Sequence, residues 1–297
     1  MEQDNSFTWQ RKHTDKNIWT GKRAILVGGS GGIGRAISRH LASAGAQVTV
    51  VGQTFRDAGV SGLTFIQADL TRMSEAERVA ALLPAETADL LVFTAGIFAA
   101  PQRQETVEGI ERDLAVSYLN RLVILRGVAE RLGSSRPNAK AKPRIFNMAY
   151  PGSGQLGNPA DLNSEQAYGA MSAHMNTVAA NEALVLYGAK RYPCLTVFGL
   201  NPGLIKTNIR DNLFGEGSWK SRMMEAVIGW FTPTADEYAA DIAPLLASPD
   251  IESHSGALFN RKGAPIRPSK GMTEEHIARL IKASDDVLAN KTSVAPH

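Results

Sequence analysis

The sequence predicts an α/β protein of the Rossmann type, a doubly wound parallel sheet of about seven strands with helices on both faces. Three observations predict it. The apolar run Ala24-Ile25-Leu26-Val27 leads directly into Gly28-Gly29-Ser30-Gly31-Gly32-Ile33-Gly34 and then into a helical pattern. Strand-like apolar runs and helix-like amphipathic runs then alternate along most of the chain. At 297 residues, the chain is long enough to bury one large α/β core without dividing into two domains.

Strands are expected at residues 23–27, 48–51, 64–67, 89–93, 144–148, 195–200 and 257–259. Helical patterns occupy 33–44, 74–83, 105–132, 168–190 and 235–247. The first helix puts Ile33, Ala36, Ile37 and Leu41 on one face, and Gly45 closes it before Val48-Thr49-Val50-Val51. Such alternation requires parallel strands joined by right-handed crossovers, because helices must cover both sheet faces. A last helix at 274–289 starts from Thr273 as a cap, with Glu274 and Glu275 in its first turn. The chain therefore divides into a polar extension (1–20), a single dinucleotide-binding and catalytic domain (21–262), and a C-terminal helix and tail (263–297). Trp9 and Trp19 are expected to staple the extension to the body.

The net charge of +3 is too small and dispersed to argue for nucleic acid as a partner. The single cysteine, Cys194, excludes internal disulfides and fits a reducing cytoplasm; it reads as a small buried hydrophobe at the start of a strand. No run approaches the ~18–20 apolar residues of a membrane span. The first 20 residues carry Asp4, Arg11, Lys12, Asp15 and Lys16 where a signal peptide would be apolar. A cytoplasmic protein without stable membrane insertion is expected. The histidines lack metal-ligand spacing, so no metal site is expected.

A strand that turns through glycines into a helix leaves unpaired N–H groups and a positive dipole end aimed at one point, where a pyrophosphate can sit. No Gly-Lys-Ser/Thr ends the run, which excludes the NTPase phosphate loop. Two registers fit: Gly29, Gly31 and Gly34, or Gly28, Gly32 and Gly34. The second resembles the short-chain dehydrogenase/reductase family, whose loop reads Gly-x-x-x-Gly-Ile-Gly. Ala68-Asp69-Leu70 resembles the family's contact to the adenine amino group, and Thr94-Ala95-Gly96 stands where the family has Asn-Asn-Ala-Gly. Asn201-Pro202-Gly203-Leu204-Ile205-Lys206-Thr207 resembles the family's Pro-Gly segment beside the nicotinamide. The resemblance spans roughly residues 20 to 262. It implies a cofactor site of Gly28, Ser30, Gly32, Ile33, Gly34, Gln53, Thr54, Asp69, Leu70, Thr94, Ala95, Gly96, Pro202, Gly203, Ile205 and Thr207.

The family uses a tyrosine as acid/base, a lysine four residues later to lower its pKa, a serine to polarise the substrate oxygen, and an asparagine to anchor a relay water. Tyr168-Gly169-Ala170-Met171-Ser172 matches the Tyr-x-x-x-Lys segment with Ser172 in place of lysine. In Ile145-Phe146-Asn147-Met148-Ala149-Tyr150 the serine position falls on Tyr150, and in Leu114-Ala115-Val116-Ser117 the asparagine position falls on Ser117. Tyr150 is either a hydroxyl donor of longer reach or an aromatic wall, and Ser153 is a second source of a hydroxyl. Arg121, one turn after Ser117, is either a replacement cation or a structural arginine. His174 lies about 200° around the helix from Ser172, away from that face.

At the end of the second strand, Gly52-Gln53-Thr54 lacks the acid that would bond a ribose 2′-hydroxyl and repel a 2′-phosphate, and Arg35 and Arg56 stand nearby. NADP(H) is therefore favoured over NAD(H). Segment 208–231 matches the family's substrate lid and is rich in Trp, Phe, Met and Leu, pointing to a hydrophobic small-molecule substrate. The long patterns at 105–132 and 168–190 resemble the helices through which the family forms homodimers and homotetramers. The expected function is an NAD(P)(H)-dependent oxidoreductase of a carbonyl or alcohol. A cofactor-binding pseudoenzyme or sensor, and a non-redox isomerase or lyase, are the alternatives.

Overall fold

The computed structural model describes residues 1–11, 17–136, 141–203 and 233–291. Strands β1 (Arg23–Val27), β2 (Gln47–Gly52), β3 (Leu63–Gln67), β4 (Leu90–Phe93), β5 (Arg144–Met148), β6 (Thr196–Leu200), β7 (Leu258–Phe259) and β8 (Pro265–Ile266) form one sheet. Its order is β3-β2-β1-β4-β5-β6-β7-β8. All neighbours run parallel except β7 and β8. β4 and β5 are buried on both faces, the pattern demanded when helices cover both sides of a parallel sheet.

Helices α1 (Gly32–Ser43) and α6 (Ala235–Ala247) pack on one face, over Leu26, Val50, Val92, Phe146 and Phe198. Helices α2 (Met73–Leu82), α4 (Asn120–Val128), α5 (Ala170–Arg191) and α7 (Glu274–Ala289) cover the other, over Ile25, Phe93, Ile145 and Val197. Alternate residues of one strand thus face opposite helical layers, as the period of two requires. The expected strands and helices are present with ends moved by a few residues, apart from the pattern at 105–132. There the helix begins only at α3 (Arg112–Leu114), runs through a wider π turn at Ala115–Leu119, and continues as α4. Residues before it turn back on themselves: Glu105 bridges Glu111, and the Glu108 carboxylate accepts from Met73 N and Ser74 N, capping α2 across the fold.

The N-terminal segment and the last helix are tied to this body. Gln3 bridges Ile266 along the free edge of β8, and Trp9 Nε1 donates to Gly263 O at 2.5 Å. Trp19 is buried beside the α1 layer. Helix α7 lies across α5 and α4, with Leu280 fully enclosed, Tyr118 and Ser284 hydroxyls 2.8 Å apart, and Arg126 paired with Asp285. Cys194 departs from expectation: it is exposed, in the turn that Tyr192 closes before β6 starts at Thr196, because Pro193 delays the strand. Among the described residues no helix is long and apolar enough to cross a membrane.

Because α7 is built into the core, Leu280→Ala should cost about 2–5 kcal/mol, the range for emptying an enclosed leucine site. Urea unfolding of parent and variant measures it, and a loss below about 0.5 kcal/mol would show α7 to be an appendage.

Candidate active site

Parallel sheets of this kind bind ligands outside the carboxyl ends of the strands, at the point where the strand order reverses. Here the reversal lies between β1 and β4. The two loops leaving those strands are 28–34 and 94–96, and they touch. Gly28 N donates to Val51 O, while Thr94 N and Ala95 N both donate to Val27 O. Gly28 has φ +87°, and a Cβ there would stand 2.2 Å from Ala95 N. A Cβ on Gly34 would stand 2.3 Å from Thr94 Oγ1 and 2.5 Å from Gly28 O. Only glycines permit this approach.

The loop delivers the chain into α1 with Gly31 as an extended N-cap, no side-chain cap and no acid in the first turn. The end of α1 thus keeps its N–H groups and positive dipole free for an anion, at the place where Ser30, Gly32 and Ile33 were assigned. A dinucleotide pyrophosphate fits this cradle.

At the end of β2, Gln53 and Thr54 are exposed, and Gln53 Nε2 donates to Asp69 Oδ1, which also accepts from Thr71. Leu70 is buried. Arg56 Nη1 reaches Ser30 O at 3.4 Å. Arg35 is spent on Asp57, with two bonds of 2.7 Å that hold the carboxyl below its usual range. At the other end, Asn201 Oδ1 accepts from Gly203 N and fixes the turn after β6; Pro202 and Gly203 are described, whereas Ile205, Thr207 and the lid segment 208–231 lie outside the described residues.

Gly96 leads to the residues assigned to chemistry. A Cβ on it would sit 3.5 Å from Ser117 Oγ and 3.6 Å from Arg121 Nη2. Ser117 stands in the π turn, a deformation that re-aims side chains and recurs at functional sites. Its hydroxyl accepts from Ile97 N at 3.0 Å and donates to Asp113 Oδ1. Arg121 is fully buried. It donates to Ala95 O, Met148 O, Asn147 Oδ1 and Asn181 Oδ1, so it clamps the ends of β4 and β5 onto α5. Burial pushes its guanidinium down to about 9, still a cation at neutral pH. It reads as the structural arginine.

Tyr168 precedes α5, whose N-cap is Gly169. Its hydroxyl donates to Ala100 O, and its pKa is raised by burial and by the charges of Glu111 and Asp113, partly offset by Arg103. Ser172 is exposed and donates back to Gly169 O at 2.9 Å, making no contact with Tyr168. Tyr150 is 38% exposed. Ser153 Oγ is buried without a partner among the described residues, leaving a hydroxyl in reserve.

Sequence reasoning passed over two residues here. His174 Nδ1 lies 2.7 Å from Asp113 Oδ2, and its ring stacks on Phe98 with centroids 4.0 Å apart. The angular argument against His174 took Ser172 as its reference. His174 does point away from Ser172, and that direction is toward Ser117. Asp113, fully buried, stands in the first turn of α3, one turn before Ser117.

A glycine-lined contact between two loops at the switch point of a doubly wound sheet defines a protein of the Rossmann fold class. The chain belongs to the short-chain dehydrogenase family: that family's model matches residues 22–216. An uncharacterised oxidoreductase of Saccharomyces cerevisiae is 47% identical over 96% of this chain and 93% of its own. Human polyprenol dehydrogenase is 26% identical over 80% and 77%. The fold matches a short chain dehydrogenase from Escherichia coli CFT073 solved with NADPH, at TM-score 0.60 and 15% identity over 84% of this chain and 100% of that one.

Two outcomes follow from this geometry. Gly34→Ala should fold, as far-ultraviolet dichroism reads, yet weaken NADPH binding about tenfold or more in a fluorescence titration, because the loop must retreat from Thr94. The Tyr168 phenol should ionise above the usual ~10, so the stability it contributes is fully present below the unfolded value and is lost as pH rises from there through the folded value. The phenolate difference spectrum of parent against Tyr168→Phe measures this, and ionisation below ~10 would mean that a cation faces the ring.

Proposed function

We propose that the chain is an NAD(P)(H)-dependent oxidoreductase that interconverts a carbonyl and an alcohol on a hydrophobic small molecule. The observation that carries this reading is the glycine cradle, with the uncapped α1 terminus and the 94–96 loop in van der Waals contact with it. When bound, a nicotinamide dinucleotide supplies or accepts hydride. The chain's own residues bind its phosphates at 28–34, hold its adenosine beside Gln53, Thr54, Asp69 and Leu70, and bring its other end beside Gly96, Pro202 and Gly203. The buried Arg121 keeps the last of these walls rigid, since it joins both strand ends to α5.

NADP(H) is the favoured cofactor. The acid nearest in sequence to the end of β2, Asp57, is neutralised by Arg35, while Arg56 beside Ser30 keeps donors for a 2′-phosphate. A relative that acts on polyprenol, as its name states, supports an apolar substrate. Homodimers or homotetramers, if formed, use a face other than the outer sides of α4 and α5, which α7 occupies.

Titrating NADPH and NADH against the protein, then screening aldehydes, ketones and quinones for oxidation of the bound cofactor, tests the reading. Tight binding without turnover on any carbonyl would favour the sensor alternative. Gln53→Asp should lower affinity for NADPH relative to NADH by about tenfold, because a carboxylate there repels a 2′-phosphate. An unchanged ratio would remove Gln53 from the adenosine ribose.

A further inference from the structure

We propose that the substrate carries an anionic group, and that Arg261, with Lys262 beside it, recognises that group at the carboxyl end of β7. This rests on the carbonyl/alcohol reading above and narrows its substrate to an apolar molecule that ends in a carboxylate or a phosphate ester.

The two cations sit on the turn between β7 and β8, and that turn is held from several sides. Gly263 N donates to Asn260 O at 2.8 Å, while Asn260 Oδ1 accepts from Lys262 N and Ala264 N. Gly263 has φ +75°, and its carbonyl accepts from Trp9 Nε1. With Asn first and Gly fourth, as tight turns favour, Arg261 and Lys262 take the two central positions.

This turn lies against the one after β6. Asn201 N donates to Phe259 O at 2.8 Å, which carries the pairing of β6 with β7 past the strand ends. The Arg261 stem packs on the neighbouring turn: a Cβ on Gly203 would stand 3.6 Å from Arg261 Cδ and 3.8 Å from Arg261 Cβ. The guanidinium is thus carried beside Pro202-Gly203, at the end of the sheet where parallel strands bind ligands.

No acid among the described residues offsets these charges. Residues 253–273 carry Arg261, Lys262, Arg267 and Lys270 and neither aspartate nor glutamate. The N-terminal segment brings two acids alongside β8, but Glu2 pairs with Arg267 at 3.0 Å and Asp4 accepts from Ser6 N. Among the described residues, neither the half-buried Arg261 guanidinium nor the exposed Lys262 ammonium has a hydrogen bond or an ion pair. Two like charges on consecutive residues of a braced turn repel each other, and an anion from outside the chain relieves the positive potential they create. Arg261 offers that anion a planar fork able to hold a carboxylate or phosphate through two bonds, and the packing of its stem on Gly203 restrains the fork before the ligand arrives.

The test uses the full chain, with NADPH oxidation followed for decanal and for the same aldehyde bearing a carboxylate or a phosphate ester on its far end. The parent should turn over at least one anionic aldehyde with kcat/KM about tenfold or more above that of decanal, and high salt should shrink this advantage. The anion that gains more identifies the end group. Arg261→Gln should bring the anionic aldehydes to within about twofold of decanal, with kcat on decanal and the NADPH Kd unchanged. Arg261→Lys should restore part of the advantage, because the charge returns without the fork. A parent that does not separate anionic from neutral aldehydes, or an Arg261→Gln variant that keeps the preference, overturns the assignment. So does an Arg261→Gln variant that binds NADPH about tenfold more weakly with the aldehyde ratio unchanged, because the guanidinium then serves the cofactor's phosphates. A parent that oxidises NADPH with none of the three aldehydes removes the carbonyl reading itself, and the substrate assignment with it.

Discussion

The structure depends on the close approach of two backbones at the reversal point of the sheet. Gly28 and Gly34 let the loop after β1 lie directly on Thr94 and Ala95 at the end of β4, at a separation where any Cβ would be 2.2–2.5 Å from a neighbouring atom. That contact sets the direction in which α1 leaves the sheet, and hence where its free N–H groups point. It also fixes the start of the 94–100 loop, from which Ser117, His174 and Tyr168 all take hydrogen bonds or ring contacts. One steric constraint thus couples the anion cradle to the chemistry beside it, and a change at a glycine is felt several residues downstream.

Behind that loop, charge is handled in two ways. Arg121 is buried among neutral oxygens, four acceptors but no carboxylate in direct contact, so its charge is offset only by dipoles and by Asp113 at longer range. Burying an arginine this way is costly unless nearly every donor is paired, and one nitrogen, Nε, is not. Asp113 is buried with the complementary deficit: its partners are a hydroxyl and a ring whose charge varies with protonation. The two groups share one desolvated wall behind the 94–100 loop.

Much of this was legible in the sequence because the signals were periodic or punctuated. The glycine run after an apolar strand located the cradle, and the alternation of strands and helices fixed the layers. What escaped had no such period. Strand β8 is two residues long and antiparallel, too short for alternation to register. Residues 105–111 carry helix-like spacing, but Glu108 and Glu111 use their carboxylates to cap α2 and α3, and this holds the segment as a turn. Cys194 follows Pro193, and the strand starts one residue later than expected, which leaves the thiol outside in the preceding turn. Side chains joined across helices, such as Asp113 with His174, leave no spacing to read.

The same reasoning bears on the missing lysine. A family motif assigns roles by spacing from one tyrosine, but a helix presents a site by angle, and positions two apart differ by about 200°. Here α5 starts after Tyr168, so the tyrosine sits on the incoming loop while the helix turns His174, not Ser172, toward Asp113 of α3. With the cation partner gone, burial and the charges of Glu111 and Asp113 hold the Tyr168 phenol protonated above its usual range, and the exposed Ser172, turned back to Gly169 O, supplies no charge to bring it down.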